Sequence, residues 1–98
     1  MNLQPSPRMT DDQRIVLLAQ NFPCCRAILD DGEWNVARLT RRYGTASNGE
    51  RQVISFLLTV WNTEQDWVPK FNAAEAMMGW DNGHRRAFAA WVAAPFCC

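Results

Sequence analysis

The strongest helical pattern of the chain is SNGERQVISFLLTVWN, residues 47–62. Its first four residues have the form of a capping box, in which the Ser47 side chain accepts from the backbone of Glu50 and Glu50 reaches back to the cap. Apolar residues then recur at spacings of one, three and four, which is typical of a helix with a broad buried face. The stretch therefore predicts a central helix over about residues 48–62, packed by other elements on most sides.

The N-terminal part of the chain predicts an amphipathic helix followed by a short one. Residues 10–13, TDDQ, have the capping-box form, and apolar residues follow at helical spacing, with Val16 and Leu17 widening the apolar face. Pro23 ends this helix, because a proline forces the residue before it out of the helical region. The same proline can begin a short helix over about residues 23–30.

Residues 33–43 allow two interpretations. As a helix they would end at Gly44, and as part of a β-hairpin near residues 27–38 they would follow a turn at Asp31 and Gly32. We favour the helix, because the segment is rich in good helix formers and its apolar–polar alternation is short.

Beyond the central helix, residues 63–70 read as a loop that contains a tryptophan and a proline. A further helix begins near Asn72, which can cap it. We expect Met77 and Met78 to face inward on this helix, and Gly79 to end it.

The sequence also predicts a last helix, which is capped by Asp81 and runs to about Ala93. The sequence predicts a mainly α protein: a compact bundle of about five short helices, with the β-hairpin near residues 27–38 as a local alternative. We expect one helical domain over residues 10–98, preceded by a flexible lead over residues 1–9.

The composition argues against several classes of protein. Ten Lys and Arg residues balance ten Asp and Glu residues, whereas a general nucleic-acid binder normally carries a clear positive excess. The first eight residues are polar, and no apolar run approaches the ~20 residues that span a bilayer. We therefore expect a cytoplasmic protein that does not contact a membrane and whose four cysteines are reduced.

Motifs that carry chemistry are missing from the sequence. It has no phosphate-binding glycine loop, no HExxH and no GxSxG. Cys24-Cys25 and Cys97-Cys98 form two adjacent pairs beside one histidine, His84, but adjacent cysteines on a helix point about 100° apart and rarely bind one ion together. We expect no enzyme activity, no catalytic residues, no cofactor and no metal, with a metal or redox switch on the cysteine pairs as an alternative.

Residues 72–92 also fit a helix-turn-helix with its turn at residues 81–83. Arg85 and Arg86 would then lie near the start of the second helix, where a recognition helix places its base contacts. That helix is rich in Ala, Phe and Trp, which favours burial, and carboxylates would lie close to the phosphates. A small DNA-binding regulator is therefore a second alternative, and direct nucleic-acid binding stays open.

Surplus tryptophan and arginine favour binding to a partner protein. Trp34, Trp67 and Trp80 lie at or near segment edges rather than inside the main apolar stripes, and Trp and Arg are common at interface hot spots. The contact residues that we expect are Trp34, Arg41, Arg42, Trp67, Arg85 and Arg86. Acidic patches could instead mimic nucleic acid against a basic groove: Asp11, Asp12, Asp30, Asp31, Glu33, Glu64 and Asp66.

The stretch over residues 47–58, together with Val60, Trp61 and Asn62, resembles a segment of small proteins from proteobacterial phages and conjugative elements. It covers about a sixth of the chain and contains no catalytic motif. In size and in lacking motifs, the chain resembles the anti-CRISPR proteins of such elements, which share no motif among themselves. What the resemblance implies is a non-enzymatic, stoichiometric inhibitor that covers a functional surface of a large host nucleoprotein complex. It assigns no site residues.

Overall fold

Six helices make up the described part of the chain, which in this computed structural model comprises residues 10–29 and 32–95. They are α1 (Asp11–Gln20), α2 (Cys25–Leu29), α3 (Val36–Thr45), α4 (Asn48–Trp61), α5 (Ala73–Gly79) and α6 (Asn82–Ala93). The predicted mainly α fold is confirmed. The predicted flexible lead over residues 1–9 lies outside the described residues.

Polar side chains cap the helices where the sequence predicts them. Thr10, Ser47, Asn72 and Asp81 each accept a hydrogen bond from the backbone N–H three residues on, which satisfies an otherwise unpaired donor of the first turn. At Thr10 the reciprocal bond of the capping box is also present. At Ser47 the carboxylate of Glu50 instead accepts from the Ser47 hydroxyl at 3.1 Å.

Helix α4 is the central element, as predicted, and packs against α1, α3 and α5. Its buried residues run without a break over positions 52–58, so the helix is covered on nearly every side. Phe56 is 2% exposed, and its ring packs against rings from other parts of the chain. Its neighbours are Phe22, Phe71, Phe88 and Trp91, with ring centroids 5.1–5.8 Å away.

Helix, not hairpin, is the correct interpretation of the segment after α2. The described residues between 27 and 38 contain no strand, and α3 begins at Val36, three residues later than predicted, because Asn35 caps it. Gly32 has a φ of 76°, a left-handed conformation that glycine adopts without steric cost. The helix also passes the predicted stop at Gly44 and ends at Thr45.

One prediction about α5 is wrong. Met78 is 87% exposed instead of facing inward, whereas Met77 is partly buried against the core. The reason is that Ala76, which is fully buried, fixes the inward face of this short helix. A residue two positions further along a helix lies about 200° around the axis, on the opposite side.

None of the helices in the described ranges is both long enough and apolar enough to cross a membrane.

Candidate partner-binding groove

An apolar groove runs between α1 and the segment that precedes α3. It encloses about 430 Å³. We call it the α1 groove, and the residues that line it are Asp12, Gln13, Val16, Leu17, Gln20, Gly32, Glu33 and Trp34.

Helical geometry explains why α1 has a second apolar face. Successive residues of a helix are rotated by about 100°, so the buried residues Ile15, Leu18 and Ala19 share one direction toward the core. Val16 and Leu17 are rotated away from that direction and line the groove. Leu17 is 44% exposed, so α1 carries more apolar side chains than the core covers.

Trp34 forms the opposite wall of the groove. Its ring lies 5.2 Å from that of Trp61, the last residue of α4, with the two planes at 47°. The neighbouring Asn35 fixes the backbone there by capping α3 through Arg38 N–H at 2.9 Å. The buried indole N–H of Trp34 has no hydrogen-bond acceptor among the described residues, and an unmade bond of this kind costs about 1–3 kcal/mol.

Two carboxylates lie along the groove. Asp12 and Glu33 are both exposed and are among the residues that line it. Both carboxylates belong to acidic patches noted in the sequence.

The predicted contact residues Arg41 and Arg42 lie on α3, away from the groove. Arg41 is exposed. Arg42 is engaged in an ion pair, with its guanidinium 3.1 Å from a Glu50 carboxylate oxygen. Burial alone would raise the pKa of Glu50, but hydrogen bonds from Arg42 and Ser47 outweigh it and hold that pKa below its usual value. Arg42 therefore serves to join α3 to α4.

The other predicted contacts are spread over two further elements. Trp67 is 41% exposed in the loop after α4, and Arg86 is exposed on α6. Arg85 donates from Nε to the Met77 carbonyl at 3.0 Å, which caps the end of α5. Trp80, suspected of partner contact from its edge position, is instead 3% exposed. Of the six expected contacts, Trp34 is the one that lines the α1 groove within the described part of the chain.

The side chains of Cys24 and His84 make contacts that fit a structural role. Burial, with the nearby Glu50 carboxylate, raises the pKa of Cys24 to about 12, so its thiol stays protonated at neutral pH and is a weak nucleophile. His84 Nδ1 lies 2.7 Å from Asp81, and this contact lowers the pKa of Asp81. The His84 ring packs on Trp80 and Phe22. Within residues 10–29 and 32–95 no group of three or more potential ligands is placed to hold a metal ion.

The metal or redox switch and the helix-turn-helix regulator, which the sequence offers as alternatives, stay predictions. The switch needs both cysteine pairs, and Cys97 and Cys98 lie outside the described residues. For the helix-turn-helix, α5 and α6 are joined by Trp80 and Asp81 alone, and the side chain of Trp80 is buried in the core, where it donates to the Gly49 carbonyl at 3.0 Å. This connection is shorter than the three to four residues typical of the motif.

Sequence reasoning missed the groove residues Val16, Leu17, Gln13 and Gln20 as a binding face. A signal was present, because an apolar stripe of about 100° is enough to bury a surface helix and the apolar residues of α1 exceed it. The sequence could not show that the segment around Trp34 would pack beside Val16 and Leu17 and leave a groove, instead of covering these two side chains.

Comparison with known proteins finds no match to any protein-family model, to any curated protein or to any solved structure.

Proposed function

We propose that this chain is a non-enzymatic protein-binding module, encoded by a mobile genetic element, that acts as a stoichiometric inhibitor of a host nucleoprotein complex, as anti-CRISPR proteins do. The observation that carries the binding part is the α1 groove. The inhibitor part rests on the resemblance of residues 47–58, with Val60, Trp61 and Asn62, to segments of phage and conjugative-element proteins, and on the resemblance of the chain to anti-CRISPR proteins in size and in lacking motifs.

The groove supports protein binding because it exposes apolar side chains in one place. Leu17, at 44% exposure, lies among the residues that also include Val16 and Trp34. Clustered exposed apolar residues rimmed by polar groups mark interaction sites on small proteins, and tryptophan is the residue most enriched at interface hot spots.

Affinity purification with matched baits tests the binding part. Wild type, Leu17→Glu and Met78→Glu are used to capture proteins from a lysate of the host. Leu17 and Met78 are both exposed apolar residues, but only Leu17 lines the groove. We expect one partner, retained in near-equal amounts by wild type and Met78→Glu and lost with Leu17→Glu, because a buried unpaired charge opposes docking. A partner that all three baits retain equally, or no stoichiometric partner at all, would contradict the proposal.

Phage plating tests the inhibitor part. The chain is expressed in a host whose CRISPR immunity restricts a phage, and plating of that phage is compared with and without it. We expect the wild type to restore plating and Leu17→Glu to fail, since an inhibitor that covers a surface acts only while bound. Unchanged plating with the wild type would leave a binding module that does not inhibit this immunity.

A further inference from the structure

Trp67 differs from the other four tryptophans of the chain in its surroundings. Trp34 packs on Trp61, and Trp80 and Trp91 pack on phenylalanine rings. Trp67 is exposed, and its ring meets no other ring and no cation in the part of the chain that the structure describes. The core therefore does not use this side chain as it uses the other tryptophans.

The loop that carries Trp67 reverses the usual distribution of polar and apolar side chains. Gln65 is buried, whereas Trp67, two positions later, is exposed. Glutamine is mostly found at protein surfaces, so both positions depart from the common pattern. The burial of Gln65 has a structural reason, because its amide donates to the Val68 carbonyl and accepts from Val68 N–H, both at 3.2 Å. These two bonds fix the loop from its buried side.

Two further residues hold the backbone on either side of Trp67. Lys70 Nζ donates to the carbonyls of Thr63 and Gln65, at 3.3 and 2.8 Å. Pro69 fixes its own φ and restricts the residue before it to extended conformations. The loop is thus ordered before a partner arrives, and an ordered segment loses less conformational entropy when it binds. Trp67 is therefore better suited to anchor a partner than a tryptophan on a free loop.

The charged groups beside Trp67 indicate what it can bind. Glu64 and Asp66 are exposed, and neither carboxylate has an ion pair or a hydrogen bond with a described residue. The cation of the loop, Lys70, is bonded to backbone carbonyls instead. The face of an indole ring attracts cations, as carboxylates do. The exposed groups of the loop are therefore complementary to a cation that lies beside apolar surface.

We propose that Trp67, together with Glu64 and Asp66, binds an arginine side chain of a partner protein. The guanidinium stacks on the indole face, and its N–H groups donate to the carboxylates. Arginine suits this site better than lysine, because its planar group stacks on aromatic rings and can donate two parallel hydrogen bonds to one carboxylate. None of the three residues lines the α1 groove, so this contact is additional to the proposed function and does not depend on it.

A peptide selection tests this inference. A displayed library of random short peptides is selected on wild type and counter-selected on Trp67→Ala. We expect the enriched peptides to share an arginine with apolar neighbours, and replacement of that arginine by lysine to weaken binding, because lysine lacks the planar group. No enrichment over the counter-selection, enriched peptides without arginine, or equal binding of the lysine peptide would overturn the inference.

Substitutions with a matched control then test the ring and the charge, using the best enriched peptide as the probe. Trp67→Leu keeps an apolar side chain but removes the ring, and should weaken binding at least about twofold. Asp66→Asn should weaken binding about two- to fivefold and make it less sensitive to salt.

The matched control for Asp66→Asn is Asp81→Asn. Asp81 is also exposed, and it follows Trp80, which donates to the Gly49 carbonyl at the opposite end of α4 from the loop. Asparagine still caps α6, so Asp81→Asn should leave peptide binding unchanged. Equal effects of the two substitutions would refute a role for the Asp66 carboxylate.

Two other variants separate this site from the rest of the molecule. Pro69→Ala keeps every contacting side chain but lets the loop sample more conformations, so it should weaken binding of the peptide, and unchanged binding would contradict the role of the ordered loop. Leu17→Glu alters the α1 groove and should bind the peptide as wild type does. Loss of the peptide with Leu17→Glu would mean that the selected site is the groove, and the inference would be wrong. Circular dichroism of each variant confirms that it is folded before its binding is compared.

Discussion

Replacing Phe56 by alanine is expected to remove roughly a third or more of the free energy of unfolding of the protein. Phe56 is 2% exposed, and truncation of a buried Phe to Ala costs about 3–5 kcal/mol. Its ring meets Phe88 and Trp91 edge-on, at 5.3 and 5.1 Å, and such pairs each contribute about 0.5–1.5 kcal/mol beyond the buried area. The upper end of the range, about 5 kcal/mol, therefore applies. A domain of this size has a free energy of unfolding of about 5–15 kcal/mol.

Urea unfolding followed by circular dichroism measures the loss. We expect the transition midpoint to fall sharply for Phe56→Ala with little change in slope, because the surface exposed on unfolding is nearly the same. Phe56→Leu keeps much of the apolar volume and should lose less than half as much. Val92→Ala, at a side chain that is 53% exposed, should stay within about 0.5 kcal/mol of wild type.

The same variant should loosen α6 before the rest of the fold. This helix is held against α4 through Phe88 and Trp91, whose partner ring the substitution removes. Native-state hydrogen exchange should therefore show α6 amides losing protection first. A loss below about 1 kcal/mol for Phe56→Ala, which is less than the usual cost of a core truncation, would refute the reasoning. So would equal costs for the Ala and Leu variants.

Three further predictions concern single side chains. Gly44→Ala should raise the melting temperature, because an added Cβ meets nothing within 4 Å and Ala exceeds Gly in helix propensity by about 0.8–1 kcal/mol; Gly83→Ala should gain nothing, because its Cβ would lie 2.9 Å from a proline carbon. The lowered pKa of Glu50 means that its ion pair with Arg42 stabilises the fold fully above the ordinary carboxyl pKa of 4.5, and that this stabilisation is lost as pH falls through the lower pKa of the folded state. Glu50→Gln should therefore be less stable than wild type in urea titrations at pH 7, with a gap that narrows as the solution is acidified below pH 4.5, and a gap of constant size would contradict this. Since burial raises the pKa of Cys24 from 9.0 to about 12, iodoacetamide should modify it at least about tenfold more slowly in the folded than in the unfolded chain, because less thiolate is present and the rise in thiolate nucleophilicity offsets this only in part. Equal rates by peptide mapping would argue against burial.

Local signals in the sequence were enough to predict the helices. The caps Thr10, Ser47, Asn72 and Asp81 act through the backbone three residues away, so they can be recognised without the rest of the fold. The central position of α4 also follows from its own apolar pattern, since a helix that is apolar nearly all round must be covered by others.

The candidate site depended on contacts between distant segments, which a single sequence does not reveal. Trp80 and Trp34 both lie at segment edges, yet Trp80 is buried among other rings and donates to the Gly49 carbonyl, 31 positions away, while Trp34 lines the groove. In the same way, the sequence does not mark Arg42 as paired, whereas in the structure it forms an ion pair with Glu50. Burial and pairing of these side chains are properties of the tertiary structure.

Trp34 belongs at once to the surface that would recognise a partner and to the packing at the end of α4, through Trp61. Recognition and architecture are therefore coupled at this ring. Occupancy of the groove should change the intrinsic indole emission and raise the melting temperature. Substitutions of Trp34 that change binding specificity will also change the stability of the fold. Adaptation to a new partner is therefore expected to begin at Leu17, which is 44% exposed and contributes less to the core.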